Sequence, residues 1–304
     1  MPYLAIIIFV CLSACSSNAN KPANSKPVYK PINAHYFSID GKQNVSFSGY
    51  VNFDEFQKLN TINGPIYSGY NAASFFVSVL AHAVVSKSAD SAIMHAFIDD
   101  SNEQALNGLN DIIANYKTDE LILQLESTIN NSNQYATPFV TRLEDNQIPK
   151  TYIYSKPEFI ITKEQDMIIL ENVFTILNKP KNQVETLNSK SRNKRNKKST
   201  EQTKTVVYLS DKIEGQNASL TADNGSLLKN ITAELFVNSV KLFDQQFKTK
   251  KKPQGKMETI KFRIGDHFRV ERGKVLLRTC DRVTFVTLRG WIKSVPQESD
   301  CLID

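Results

Sequence analysis

Four segments in the second half of this 304-residue chain combine β-branched and aromatic residues, a composition typical of strands in a sheet. These segments are residues 151–155, 158–162, 167–177 and 206–210, with a turn predicted at Lys163–Gln165 between the second and the third. Residues 257–295 have the same character. There, Ile260, Phe262 and Ile264 alternate with Lys or Arg, as in a strand that buries one face. The second half therefore predicts an antiparallel sheet.

Helical patterns dominate the first half. Residues 72–85 are apolar on nearly every side but too few to cross a membrane, which favours a buried core helix. Ser101 and Gln104 have the spacing of a capping box and would begin a helix. A second amphipathic helix follows a break near Lys117, and one long helix is predicted over residues 226–247.

Near the start of the body, residues 35–40 and 45–51 predict a β-hairpin, with Asp40 and Gly41 in its turn. The fold class expected is α+β. A helical N-terminal half (residues 35–148) would pack with an antiparallel sheet in the C-terminal half (149–304), with the long helix inserted into it.

The first 15 residues hold an apolar run that has the length of a signal peptide and is too short to span a bilayer. The run ends in Leu12-Ser13-Ala14-Cys15, which resembles the lipobox of bacterial lipoproteins. The resemblance implies that residues 1–14 are a signal peptide cleaved before Cys15. It also implies diacylglycerol on the Cys15 thiol, and hence a chain attached to a membrane.

Residues 15–34 are mostly Ser, Asn, Lys, Pro and Ala, and predict a flexible tether to a globular body of residues 35–304. Ser16, next to the cysteine, resembles lipoproteins that are sorted to the outer membrane. We therefore expect export and anchoring to the outer membrane, facing the periplasm. Residues 69–85 and 287–296 resemble segments of uncharacterised proteobacterial lipoproteins, a family that implies no activity.

The cysteine count agrees with an oxidising compartment. Cys11 would leave with the leader and Cys15 would carry lipid, so Cys280 and Cys301 would remain to form a disulfide. Closing that loop of about 22 residues would stabilise the fold by about 3 kcal/mol. The alternative is two unrelated buried thiols.

The net charge of +6 is local, because residues 179–204 hold nine Lys or Arg against two Glu, which is +7, and the rest of the chain sums to −1. This run predicts a disordered basic loop inserted between two strands of a hairpin. It contains no aromatic residue on which bases could stack, so we expect no nucleic-acid partner. Available polyanions would be lipid phosphates, lipopolysaccharide or wall polymers.

Basic residues of the loop and of the strands are candidates for binding such anions. They are Lys194, Arg195, Lys197, Lys198, Arg263, Arg269, Arg278 and Arg282. Arginines on one sheet face could bind phosphate or carboxylate in a bidentate manner. They could equally pair with Asp266, Glu271 and Asp281 on neighbouring strands.

The sequence lacks the familiar catalytic motifs, including the nucleophile elbow, the H-E-x-x-H zinc motif and the phosphate-binding loop. The S-x-x-K at residues 226–229 fits a plain helix start. His95 and Asp99 are spaced to share a proton or a metal, and His82 and His267 could each join a distant carboxylate. We expect no metal and no cofactor.

These observations predict an outer-membrane lipoprotein that scaffolds or binds an envelope component without catalysis. Its partners would be the membrane, through the lipid, and an anionic envelope component or another envelope protein. One alternative is an envelope hydrolase, which a cleft that gathers histidine, carboxylate and nucleophile would favour. The other is a periplasmic module for an anionic ligand, which converging arginines would favour.

Overall fold

A computed structural model describes residues 30–40, 43–52, 88–131, 139–144, 147–177, 201–213, 217–248 and 255–297. The strands are β1 (Lys30–Ile39), β2 (Ser46–Gly49), β3 (Phe139–Val140), β4 (Gln147–Ile161), β5 (Ile168–Leu177), β6 (Glu201–Leu209), β7 (Met257–Ile264), β8 (His267–Arg278), β9 (Arg282–Thr287) and β10 (Ile292–Pro296). The helices are α1 (Ser88–Leu106), α2 (Asn110–Asn115), α3 (Thr118–Asn131) and α4 (Asn217–Lys248).

All ten strands belong to one mixed sheet, in the order β3-β1-β4-β5-β6-β10-β9-β8-β7, with β2 also paired to β4. The pairs that involve β1 or β2 are parallel, as is β10 with β6, and the other pairs are antiparallel. The predicted α+β division is therefore wrong. The N-terminal half is not a helical part, because its strands join the same sheet as those of the C-terminal half.

The hairpin predicted for residues 35–51 is also wrong. β1 and β2 do not pair with each other, because both run parallel to β4 along the same edge, β1 beside Gln147–Ser155 and β2 beside Glu158–Ile161. The Asp40 amide continues the β1 ladder by donating to the Ser155 carbonyl at 2.7 Å. β1 begins at Lys30, so the last residues assigned to the tether pair with β4.

The central strands are longer than the segments predicted from the sequence. Residues 151–155 and 158–162, predicted as two strands, form the single strand β4, which continues through Pro157. β4 and β5 form a hairpin whose turn contains Gln165 at φ 55°, which confirms the predicted turn. β5 and β6 pair antiparallel from Ile169 with Leu209 to Leu177 with Glu201. This pairing confirms the hairpin predicted across the basic loop. The predicted end of the loop is wrong, because β6 begins at Glu201 and residues 201–204 belong to the strand.

The capping box predicted at residues 101–104 is not a helix start. α1 begins at Ser88, so Ser101 lies inside the helix, where its hydroxyl donates to the Phe97 carbonyl at 2.8 Å. Gln104 donates to the Asp100 carboxylate within the same helix. A capping box and an interior helical turn share the same residue spacing, so the sequence could not separate them. The helix predicted over residues 72–85 lies outside the described residues.

Two contacts fix α1 against the sheet. The Gly49 amide of β2 donates to Asn102 Oδ1 at 2.6 Å, and a Cβ atom on Gly49 would lie 2.6 Å from the Ser101 carbonyl oxygen. Only glycine allows so close an approach. At the helix end, the Gln165 side-chain amide donates to the carbonyls of Ala105 and Asn107, at 3.0 and 2.9 Å, and so satisfies acceptors that the helix leaves open.

α3 and α4 confirm the helices predicted for those regions. α4 breaks at Ala222–Gly225, and from there to its end it covers one face of β5 and β6. Phe243 of α4 stacks on Phe174 of β5 with ring centres 4.2 Å apart. Among the helices that the structure describes, none is both long and apolar enough to cross a membrane.

Strands of the same sheet cover the opposite face, because the β7–β10 end curls back over it. Ile260, Phe262 and Ile264 of β7 are buried in one cluster with Ile160 of β4 and Ile169 of β5. The alternation predicted for β7 is confirmed, and its apolar side faces the interior of the curl. Both faces of the central strands are therefore covered.

Because the β5–β6 pairing is complete to Leu177 and Glu201, we expect residues 179–200 to be dispensable for folding. Replacing them with a short Gly-Ser connector should leave the melting temperature within a few degrees, since loop closure changes by about 0.6 kcal/mol per doubling of length. Thermal unfolding followed by circular dichroism tests this. A variant that fails to fold would show that the segment is structural.

Candidate functional site

Charged side chains form a row across the inner face of the curled sheet. Glu158 of β4 is directly opposite Glu171 of β5, and both Glu171 and Lys293 of β10 are in register with Val207 of β6. Residues in register on neighbouring strands project to the same face, so the three charged groups share that face. Glu271 of β8 completes this charged row with an ion pair to Lys293.

Glu171 is only 8% exposed. Burial raises its pKa to about 7, the Glu158 carboxylate adds to the increase, and the Lys293 ammonium opposes it. Glu158 accepts a hydrogen bond from the Ser48 hydroxyl at 3.0 Å. Because like charges directly opposite each other repel, the row favours a proton on Glu171 near neutral pH.

Lys293 is 2% exposed, and burial lowers its pKa to about 8. The charge and hydrogen bond of Glu271 and the charge of Glu171 oppose that decrease, whereas the Arg289 charge adds to it. A carboxyl and an amine with pKa values near neutral have the properties of a general acid and base. Their near-complete burial keeps them from solvent, however, and so from a substrate.

A cleft of about 150 Å³ opens where α1 meets the β4–β5 and β7–β8 turns. The polar residues that line it include Tyr50, Asn52, Asp100, Ser101, Gln104, Thr162, Glu164 and His267. The cleft therefore gathers a histidine, carboxylates and a serine, the residue types that a hydrolase would need. Whether they form a relay depends on which atoms they already contact.

Most of these groups are engaged within the fold. The Ser101 hydroxyl donates to the Phe97 carbonyl. Both carboxylate oxygens of Asp100 accept from the Gln104 side-chain amide at 2.8 Å. On the opposite wall, Arg269 donates to Tyr50 Oη at 2.8 Å and to Asn52 Oδ1 at 2.9 Å. The serine and the aspartate thus satisfy helix contacts and do not prepare a nucleophile.

The candidate arginines of the strands do not converge. Arg269 points into the curl toward Tyr50, whereas Arg263 points outward with its guanidinium 4.1 Å from the Phe268 ring centre. Arg278 pairs with Glu258 at 2.8 Å.

Arg282 lies elsewhere on the sheet. It pairs with Asp211 at 2.9 Å, donates to the Leu209 carbonyl and packs over the Tyr208 ring. The observed acidic partners, Glu258 and Asp211, differ from those considered from the sequence. Contacts within the fold therefore occupy these guanidinium groups, and they do not form a common anion site.

The remaining candidates divide by location. His95 and Asp99 are both exposed on α1, and His267 is exposed at the cleft. The structure records Cys280 as disulfide-bonded, and the other three cysteines, including Cys301, lie outside the described residues. The same holds for His82, for Leu12, Ser13, Ala14 and Cys15, and for Lys194, Arg195, Lys197 and Lys198. Within the described part of the chain, no group of three or more His, Cys, Asp or Glu could hold a metal ion.

The charged row was missed by sequence reasoning. Its signal was a charged residue inside an apolar strand: Glu171 interrupts the run IILENVFTIL of β5, and Lys293 interrupts the short apolar strand β10. Such an interruption indicates a buried charge only when both faces of the strand are covered. That information is absent from the local sequence.

No family model, curated protein or solved structure matches this chain.

The raised pKa of Glu171 predicts a pH-dependent stability. In the unfolded chain this carboxyl titrates near 4.5, so between pH 4.5 and 7 the folded state binds more protons and stability falls as pH rises. Glu171→Gln cannot ionise and should remove that decline, which amounts to at most about 3 kcal/mol. The measurement is the free energy of unfolding in urea at pH 4.5 and pH 7.

Glu234→Gln, at an exposed position of α4, is the matched control and should leave the pH dependence unchanged. Parallel pH curves for wild type and Glu171→Gln would show that Glu171 has an ordinary pKa in the folded protein.

Proposed function

We propose that this protein is an exported lipoprotein, anchored through Cys15, whose body is a non-enzymatic interaction module of the cell envelope. The observation that carries the proposal is the disulfide at Cys280, because structural disulfides persist in oxidising compartments. It agrees with an apolar leader that ends in Leu12-Ser13-Ala14-Cys15. The outer membrane is the proposed location, on the basis of Ser16.

The contacts in the cleft favour a non-enzymatic body over the hydrolase alternative. A hydrolase relay would need the Ser101 hydroxyl and a carboxylate directed toward His267. In this fold the hydroxyl donates to Phe97 and the Asp100 carboxylate accepts from Gln104. Separation of the strand arginines likewise argues against a concentrated anion site within the sheet.

Cys15→Ala should abolish lipidation, because the thiol is the proposed acceptor of the lipid. Metabolic labelling with an alkyne palmitate analogue should mark the wild type and not the variant. Density fractionation should place the labelled wild type with the outer membrane. The matched control is Cys11→Ala, which removes a thiol from the apolar leader and should leave labelling intact. Equal labelling of the wild type and Cys15→Ala would refute the anchor.

We predict Cys301 as the disulfide partner of Cys280. Peptide mapping without reductant, on protein purified from the envelope, should recover the two cysteines in one linked fragment. Cys280→Ser should lower the free energy of unfolding by about 3 kcal/mol on the chain-entropy account. A fragment that links Cys280 to a different cysteine would contradict the pairing.

A further inference from the structure

The β7–β8 hairpin exposes one face that combines cations with large apolar side chains. Its eight outward positions, here called the hairpin face, are Met257, Thr259, Lys261, Arg263, Phe268, Val270, Arg272 and Lys274. The pairing register sets Lys261 beside Val270 and Thr259 beside Arg272. Basic and apolar groups are therefore interleaved on one surface.

The hairpin face continues the surface that α4 covers farther along the sheet. Helix α4 packs on β5 and β6, whereas near the β7–β8 turn the same side of the sheet is exposed: Phe268 is 59% exposed and Val270 62%. Met257 is 40% exposed. Exposed apolar side chains of this size that cluster on one surface are typical of an interaction site.

The charge of the hairpin face has a single sign. Its eight positions carry four Lys or Arg and no acid, and Asp266 lies at the turn. The acids of these strands lie on the opposite face of the hairpin, where Glu258 pairs with Arg278 and Glu271 with Lys293. In the sequence, residues 248–256 contain five lysines and immediately precede β7.

We propose that the hairpin face docks on an anionic phospholipid surface. Lys261, Arg272 and Lys274 would contact the headgroup phosphates, while Phe268 and Val270 would enter the boundary between headgroups and acyl chains. Each cation near such a surface contributes binding free energy that decreases as salt rises. Buried apolar area contributes binding free energy that salt does not remove. This proposal does not depend on the Cys15 anchor, and it would place the body flat on a membrane.

Protection of an edge strand is the competing explanation for the cations. β7 is the last strand in the sheet order, and natural edge strands often carry Lys to prevent aggregation. Edge protection accounts for Lys261 and Arg263. It does not account for Phe268 and Val270, because exposed apolar residues next to an edge increase the risk of aggregation.

Vesicle sedimentation tests the proposal with unlipidated residues 16–304, a chain that contains every described element. We expect binding to vesicles of phosphatidylglycerol and phosphatidylcholine at low salt, and weak binding to phosphatidylcholine alone. The double variant Lys261→Gln with Arg272→Gln should weaken binding to the phosphatidylglycerol vesicles by about 30-fold. This is about 2 kcal/mol of binding free energy, at 1.4 kcal/mol per tenfold change. Phe268→Ser with Val270→Ser should remove the part of the binding that persists at high salt.

Lys156→Gln with Lys204→Gln is the matched control, because it removes the same charge from exposed positions of β4 and β6. All variants are compared again with residues 179–200 replaced by the Gly-Ser connector, and thermal melts confirm folding. Binding that depends on the hairpin variants in both backgrounds supports the proposal. No vesicle binding, equal losses in the control, or binding that disappears only with residues 179–200 would overturn it.

Discussion

The strands β4 and β5 carry apolar side chains on both faces, so each strand needs cover on two sides before its burial can stabilise the fold. In β5, Ile168 and Leu170 face α4, and Ile169 faces the curled end of the sheet. The part of the chain that follows β6 covers both faces. It leaves β6, crosses one face as α4, forms β7 to β9, and returns as β10 parallel to β6. The curl of β7–β10 then covers the other face.

Each covered face also includes polar groups at adjacent positions of β5. Glu171 enters the charged row on the inner face, whereas Asn172, on the helix side, accepts from Ser155 at 2.7 Å and donates to Ser239 of α4 at 3.0 Å. Buried polar groups cost free energy unless partners satisfy them. A slip of one residue between β4 and β5 would turn Glu171 toward α4 and break both bonds of Asn172. These polar positions therefore specify the register that apolar residues alone would leave open.

The sequence predicted elements better than it predicted their partners. The alternation in β7, the amphipathic α3 and α4, and the β4–β5 turn depend on local spacing, and each was found where expected. Pairing depends on distant residues. Asp40-Gly41 suggested a reversal, but β4 offers one continuous edge along which β1 and β2 both align. The helical character assigned to the first half failed for the same reason, since β4, the strand with which both β1 and β2 pair, begins only at Gln147.

Site prediction had the same limit. Arginines can be counted in a sequence, but the face to which each one points follows from its strand register: Arg269 turns into the curl and Arg263 out of it. The sequence did not identify Glu171 and Lys293 as buried charges, because a charged side chain in a strand is ordinarily solvated. Only the curl, which brings β8 and β10 over β4 and β5, makes them buried groups.

Along the outer surface of the sheet, the outward side chains differ in composition between the part that α4 covers and the part that it leaves exposed. Beneath α4 that surface is apolar, with Phe174 and Val206, and the same apolar cluster extends to Val286 of β9 and Leu276 of β8. On the β7–β8 hairpin half of the outward positions are basic, as an uncovered edge requires to stay in solution. Phe268 and Val270 are exceptions to this change, since both side chains stay more than half exposed to water although Arg263 packs on the Phe268 ring. A surface that is both cationic and apolar suits neither bulk water nor a protein core, and the boundary of an anionic membrane is the environment that accommodates both properties.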